Sequence, residues 1–292
     1  MTTRQAIKHA QNFGSACFAW GSALIVFLGF CWLVGETLRN GFNELSWSLI
    51  SELPSQSGRA GGISSIIVST GLILLVCLAV SLPLGLLTSI YLAEISTNQS
   101  KVGWLVRRSL DVLAGVPSIV FGLFGNALFC NLLGLGNSIL AGGLTLACMV
   151  LPLFVRIAEE GIRNVPNEYR YATASLGLSR TTTLFRVIVP AALPALAAGF
   201  VLAVGRALSE TAALIFTSGI VTRMPGSLMD SGRTISVHIY ELTMNVLGGD
   251  ARAYASATLL VLALFLINGV AMALARYVSR RSQTSLKARQ LG

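Results

Sequence analysis

The sequence predicts an all-α integral membrane protein with six transmembrane helices and one structured loop on the cytoplasmic side. Hydrophobic residues fill 54% of the 292 positions and charged residues only 11%, which is too apolar for a soluble domain of this size. The net charge of +9 is spread around the ends of apolar runs, so nucleic-acid binding is not indicated. We expect a single transmembrane domain over residues 1–292, with its core at about 60–278.

Uncharged runs mark the expected spans in chain order. The run at 112–155 is about 44 residues long, enough for two spans and a turn, and Asn131, Gly134 and Gly136 supply turn-forming residues near its middle. The other runs hold one span each. The expected spans are residues 14–35, 60–93, two within 112–155, the run that follows Pro190, and 253–275.

The basic residues predict how these spans are oriented. Six spans put both termini on one side, together with the segment near residue 101 and the loop 159–190. That side carries 15 Lys and Arg residues and the opposite side carries five. By the positive-inside rule, both termini and the loop 159–190 are therefore expected to be cytoplasmic.

Two short helices are predicted inside the loop 159–190. Pro166 suits a first helical position and Gly177 a C′ stop, which gives a helix of about ten residues. Ser179 can cap a second helix that leads to Pro190, where the chain enters the membrane again. A helix–Gly–helix design is unusual for a short membrane loop. It favours a docking element over the alternative, an ordinary amphipathic loop.

This loop resembles the cytoplasmic loop of type I ABC importer permeases, which reads Glu-Ala-Ala, three residues, Gly, nine residues, Ile-x-Leu-Pro. Gly177 and Pro190 fall in register, but the Glu position holds Tyr171. In the family this helix sits in a groove of an ATPase subunit and transmits its movement. The resemblance therefore implies a role in ATPase coupling for Tyr171, Ala172, Thr173, Ala174, Gly177 and Pro190.

Two further segments resemble the membrane subunits of the bacterial phosphate-specific transport system. They are residues 113–125, Leu-Ala-Gly-Val-Pro-Ser-Ile-Val-Phe-Gly-Leu-Phe-Gly, and 205–212, Gly-Arg-Ala-Leu-Ser-Glu-Thr-Ala. The alternative for the first segment is a kinked helix packed closely on a neighbour. Over residues 82–268 the chain most resembles the PstA-type permeases.

The resemblance implies a MetI-like permease fold in the bacterial inner membrane and a role in importing inorganic phosphate. The implied partners are a second, homologous permease in a heterodimer, two ATPase subunits and an external phosphate-binding protein. ATP and magnesium would be bound by the ATPase, so no cofactor is expected in this chain. A permease for another oxyanion and a stand-alone anion channel remain alternatives, although a channel would not need a docking loop.

Arg206 and Glu210 are the only charges between residues 187 and 221. As one helix this segment would be about 52 Å long, against about 30 Å of hydrocarbon, so both residues are expected within or near the membrane. Four residues apart, they would share a face with Ala195, Gly199 and Ala203. A guanidinium fork suits a tetrahedral oxyanion. The pair is predicted to line the substrate pathway, the alternative being an ion pair that only fixes helix position.

An active site of the chain's own is not expected. None of its three lysines follows a Gly, so the phosphate-loop motif of ATPases is absent. The Gly-x-Ser-x-Gly pattern of hydrolases is also absent. The five cysteines lie in apolar runs without Cys-x-x-Cys spacing, so neither a disulfide framework nor a metal site is indicated.

A last helix is expected on the outer surface. Ile235, Ile239, Leu242 and Val246 recur at helical spacing between two charged residues, a pattern typical of an amphipathic helix. His238 on this helix is expected to be a surface residue.

Overall fold

The computed structural model describes residues 3–96 and 100–290, with side chains described for 15–96 and 100–273. Within that part of the chain the regular secondary structure is helical, apart from a short antiparallel pair of β1 (Pro54–Ser55) with β2 (Ala60–Gly61). The helices are α1 (Thr3–Phe42), α2 (Trp47–Ser51), α3 (Ser64–Ile90), α4 (Lys101–Ala114), α5 (Ser118–Gly125), α6 (Ile139–Arg163), α7 (Asn167–Ser175), α8 (Arg180–Thr183), α9 (Val189–Leu208), α10 (Ala212–Thr217), α11 (Ile235–Met244) and α12 (Asp250–Gln290).

Three π-helical turns lengthen these helices. They are Tyr91–Ile95 after α3, Asn126–Leu132 after α5, and Leu184–Ile188 between α8 and α9. Among the described residues, five helices are long and apolar enough to cross a membrane, and a bent pair supplies a sixth span if it counts as one. The predicted all-α membrane fold is confirmed. We call the end of the bundle that carries residues 164–179 the loop side, and the other end the far side.

The chain bends where the sequence predicted the start of a continuous third span. The bend of 105° lies between Lys101–Ala114 and Ser118–Leu132, so residues 112–114 belong to α4, before the bend. Pro117 precedes the first residue of α5 with an extended backbone, φ −61° and ψ 145°. A proline disfavours the helical conformation of the residue before it, which explains why α4 cannot continue into α5.

Helix α6 is the centre of the bundle and packs on α3 and α9. Its side chains join the main core, which contains Ile73, Cys77, Phe121, Leu146, Val150, Ala203 and Leu214. Small residues let the helices approach closely. A Cβ on Gly161 would lie 2.3 Å from the Cβ of Ala195, and one on Gly199 would lie 3.3 Å from Phe154. The small-residue face predicted for the fifth span therefore packs inside the bundle.

Helix α1 is attached to the bundle near its far-side end. A Cβ on Gly41 would lie 2.5 Å from the carbonyl oxygen of Tyr254 in α12, and Thr258 Oγ1 donates to the carbonyl of Thr37 at 3.0 Å. Most of the described large apolar residues of α1 are exposed, including Trp20 at 78%. Helix α1 thus lies at the edge of the chain.

Candidate functional site

Helix α7 forms within the loop and ends at the predicted glycine. Gly177 has φ +69°, its N–H donates to the carbonyl of Ala174 at 3.0 Å, and the next N–H, of Leu178, donates to the carbonyl of Thr173 at 3.1 Å. This pair of bonds is the Schellman motif, which favours glycine because of the positive φ. Ser179 then caps α8 by accepting the N–H of Thr182 at 3.2 Å. The predicted helix–Gly–helix design is confirmed, with Pro166 one position earlier, at the N-cap.

Most of α7 is exposed on the loop side. Tyr171 is 70% exposed and Leu176 at its end is 75% exposed, and Ala172 and Ala174 are exposed as well. Thr173 faces the bundle instead and is only 6% exposed, and its hydroxyl donates back to the carbonyls of Tyr169 and Arg170 within the same helix. Large apolar side chains left in water are costly, so this face is suited to contact another protein.

Arg170 fixes α7 to the bundle, a role that sequence reasoning missed. Its guanidinium donates to the carbonyl oxygens of Val165 at 2.7 Å and Ile162 at 3.1 Å. These carbonyls lie at and just beyond the end of α6, where helical donors are lacking. Arg170 also pairs with Glu94 in the π turn after α3, at 2.5 Å. Helix α7 is therefore tied to two spans by one side chain.

A second ion cluster joins α4 and α6 to the end of α3. Glu159 Oε1 accepts from the Nε atoms of Arg107 at 2.9 Å and Arg163 at 3.0 Å. Both arginines also donate to the carbonyl of Leu92, each at 2.8 Å. Together with the Arg170 contacts, these bonds make the loop-side ends of α3, α4 and α6 one connected unit. The only sequence signal was an excess of charge on this side.

The second helix of the loop leads to Pro190, as predicted, and continues through it into the fifth span. Residues 180–208 form one helix of 29 residues that passes through Pro190. A proline has no N–H to donate to the carbonyl four residues earlier, which usually breaks a helix. Here Leu184–Ile188 form a π turn, in which the N–H of Val189 bonds to Leu184, and the helix continues past the proline.

The fifth span is broken where the sequence predicted a continuous helix. Helix α9 ends at Leu208, and α10 begins at Ala212, so Arg206 and Glu210 are not neighbours on one helical face. Arg206 is exposed, whereas Glu210 is only 7% exposed. Within the part of the chain that the structure describes, the ion pairs do not include one between them.

Glu210 instead holds the break together. Its Oε1 accepts the backbone N–H of Ala213 at 3.2 Å, at the start of α10. Its backbone carbonyl accepts from the hydroxyl of Ser236 in α11 at 2.6 Å. Helix α10 packs on α5, where a Cβ on Gly122 would lie 2.8 Å from the Cα of Ala213. The break thus lies inside the helix bundle, between α5, α6 and α11.

Comparisons with known proteins agree with this architecture. Residues 81–284 match the family described as the binding-protein-dependent transport system inner membrane component. The chain is 32% identical to the probable ABC transporter permease protein YqgI of Bacillus subtilis, over 89% of this chain and 92% of that protein. It is also 32% identical to the phosphate transport system permease protein PstA 1 of Mycobacterium tuberculosis, over 96% and 92%. The chain belongs to the PstA-type permeases of type I ABC importers.

The predicted MetI-like fold is confirmed as well. The permease aligns with a chain of the inward-facing MetNI methionine ABC transporter with a TM-score of 0.56 and 16% identity, over 74% of this chain and 94% of that chain. At this identity the likeness concerns the fold alone. The permease is therefore a multi-pass inner-membrane protein, and the partners of its family are an ATPase and a substrate-binding protein.

On the far side, His238 of the permease is fully buried, so the prediction of a surface histidine was wrong. Arg233 Nη1 donates to its Nδ1 at 3.3 Å, and a Cβ on Gly58 would touch the ring. Burial and the charge of Arg233 lower the pKa of His238 to about 3, so the imidazole is neutral. The predicted helix exists as α11, but contacts from distant segments cover one face of it.

Proposed function

We propose that this chain is the membrane-spanning permease subunit of an ATP-driven importer of inorganic phosphate. The observation that carries the proposal is the exposed, capped helix α7, which is anchored to two spans. Its loop also has the spacing from Gly177 to Pro190 that resembles the family's coupling loop. Phosphate as the substrate is supported by the likeness to PstA 1 along nearly the whole chain. The name of the Bacillus subtilis relative YqgI specifies no substrate, so import of another oxyanion is the competing function.

The proposed assembly contains a second, homologous permease, two ATPase subunits and an external phosphate-binding protein. The ATPase subunits bind ATP and magnesium, and this chain contributes no catalytic residue. Both termini and α7 face the cytoplasm, because the basic residues are concentrated on that side. An ATPase that docks on α7 would then reach cytoplasmic ATP.

Arg206 is the proposed contact for the passing anion. It lies in the last turn of α9, on a side of the helix that is open in this chain, since Arg206 is exposed and Leu202, four residues earlier, is 53% exposed. A second permease placed against this open side would enclose a pathway. An Arg guanidinium can donate two parallel hydrogen bonds to a tetrahedral oxyanion, whereas a Lys ammonium offers only a point charge.

Glu210 is proposed to shape the same pathway from inside the break. One carboxylate oxygen caps α10, and a carboxylate can accept several hydrogen bonds in total. Near neutral pH, phosphate keeps a proton that it can donate, and sulfate does not. A carboxylate close to the path would therefore repel both anions but offset part of that repulsion only for phosphate.

Two substitutions test these roles in the assembled complex. Arg206→Lys should sharply reduce the stimulation of ATPase activity by phosphate, because the forked guanidinium is lost while the positive charge stays. Glu210→Gln keeps an oxygen that can cap α10 but removes the charge, and should narrow the preference for phosphate over sulfate. Arg223→Lys is the matched control, since Arg223 is exposed on the far side and pairs only loosely, at 3.9 Å, with Asp230.

The measurement is anion-stimulated ATPase activity, in a complex whose permeases accept anion without the binding protein. Phosphate and sulfate are compared for each variant. If Arg206→Lys and Glu210→Gln both match the unmodified complex with both anions, the two residues are structural. If sulfate stimulates the unmodified complex more than phosphate does, the importer carries another oxyanion.

A further inference from the structure

Helix α4 carries an exposed apolar stripe beside an exposed basic stripe. Its inner face is closed by Leu110, which packs with Leu92 and Val155. Outside that contact, Leu105 is 58% exposed and Val112 is 65% exposed. At helical spacing these residues share one side with the exposed Val102 and Leu113. A neighbouring side presents the exposed Lys101 and Arg108, so the outer surface of α4 is amphipathic.

The direction of α4 differs from that of the spans. The chain bends by 105° between α4 and the helical segment that forms the third span. If that span lies roughly along the membrane normal, α4 lies roughly in the membrane plane. Its exposed apolar stripe therefore runs along the bilayer surface.

Ion pairs fix the depth of α4 against α6. Asp111 of α4 pairs with Arg156, and Arg107 pairs with Glu159. These partners lie seven and four residues before the end of α6 at Arg163, which is about 10 Å and 6 Å at 1.5 Å per residue. Helix α4 is thus set back from the loop-side end of α6 toward the middle of the bundle.

The length of the helical segment after α4 is consistent with this position of α4. Residues 118–132 make 15 helical positions, about 22 Å, which is shorter than about 30 Å of hydrocarbon. A span shorter than the hydrocarbon is accommodated by local thinning of the bilayer or by snorkelling of its flanking residues. Either response would bring α4, which directly precedes this segment, close to the boundary between headgroups and acyl chains.

We propose that α4 is an interfacial helix that binds the anionic lipid of the loop-side leaflet. The apolar stripe with Leu105 and Val112 rests among the acyl chains, and Lys101 and Arg108 contact negatively charged headgroups. Interfacial helices bind by this combination of apolar burial and basic charge. The first turn of α4 has no acidic residue, so the positive end of the helix dipole adds to the attraction.

The test uses the complete transport complex in lipid vesicles, with native cysteines replaced and a fluorophore attached at Leu105→Cys. Brominated phosphatidylcholine and brominated phosphatidylglycerol are compared as quenchers at equal mole fraction. Both should quench the fluorophore. Phosphatidylglycerol should be enriched around the fluorophore over phosphatidylcholine by about fivefold or more, which is the effect of roughly one interfacial basic residue. High salt should reduce this preference.

A double variant, Lys101→Gln with Arg108→Gln, should abolish the preference and keep the quenching itself. Arg223→Gln, at an exposed far-side position, is the control and should leave the preference unchanged. If neither lipid quenches the fluorophore, the stripe is in water or under another subunit, and the proposal is wrong. If both lipids quench the fluorophore equally and the double variant changes nothing, α4 does not recognise anionic lipid and the proposal is wrong. The test does not depend on which substrate is transported.

Discussion

Replacing Gly177 tests whether the capped end of α7 is needed for transport. The glycine has φ +69°, and a Cβ built on it would meet nothing within 4 Å. A larger residue therefore meets no clash, and its only cost is the left-handed backbone conformation. That cost is about 1–2 kcal/mol for an ordinary residue, and β-branched residues are especially poor at positive φ.

Gly177→Val is expected to lower the equilibrium constant for forming the capped conformation by about 5- to 30-fold, since 1.4 kcal/mol corresponds to a factor of ten. ATP-driven uptake by the reconstituted complex should fall as the capped conformation is depopulated. The complex should still assemble, because the position is exposed. Gly177→Asn is the matched control, since asparagine tolerates the left-handed region, and it should retain most of the uptake.

A second measurement locates the defect. With native cysteines replaced, Ala174→Cys on the exposed side of α7 should crosslink to the ATPase subunit. The crosslink should weaken in the valine variant and persist in the asparagine variant. Normal uptake by Gly177→Val would contradict the argument, because it would show that the geometry of the cap is not needed.

Two further predictions concern the ionisable side chains of Arg170 and His238. Arg170→Gln should uncouple ATP hydrolysis from transport, because α7 loses its bonds to the end of α6 and to Glu94. Wild-type coupling in this variant, measured as phosphate imported per ATP, would exclude an anchoring role. For His238, whose pKa is lowered to about 3, the unfolded chain takes up a proton below its ordinary pKa of about 6.5 and the folded chain does not. Lowering the pH from 7.5 to 5.5 should therefore cost about 1.4 kcal/mol of stability. In thermal unfolding, His238→Gln should remove this part of the pH dependence, and an identical pH dependence in both proteins would contradict the assignment.

The sequence predicted best those elements whose causes are local. The end of α7 depends on Gly177 and the residues just before it, and the start of α8 depends on the side chain of Ser179. The spans follow from long uncharged runs. Chain neighbours alone determine these features, so no tertiary contact was needed to find them.

The bend before Ser118 has a signal in the sequence, Pro117, from which a kinked helix is predicted. Pro117 lies inside an uncharged run, and the run made residues 112–155 look like two full spans. The amphipathic spacing of Val102, Leu105 and Val112 next to basic residues is typical of an interfacial helix, the role proposed for α4. Counting charges alone could not separate a span from an interfacial helix.

The break in the fifth span had no comparable signal. Residues 209–211 contain neither Gly nor Pro. The break is fixed by contacts with segments that are distant in sequence, such as the hydroxyl of Ser236 on the carbonyl of Glu210. The burial of His238 likewise depends on Gly58, 180 positions earlier. Such contacts cannot be derived from a single sequence.

The most direct test of the proposed function measures uptake of labelled phosphate into proteoliposomes. A soluble phosphate-binding protein is added outside the vesicles. Vesicles with both permeases and the ATPase subunits are compared with vesicles that contain this chain alone. The proposal predicts ATP-dependent uptake in the complete system and none by the chain alone. Phosphate uptake by the isolated chain, without ATPase or ATP, would identify a channel and contradict the importer.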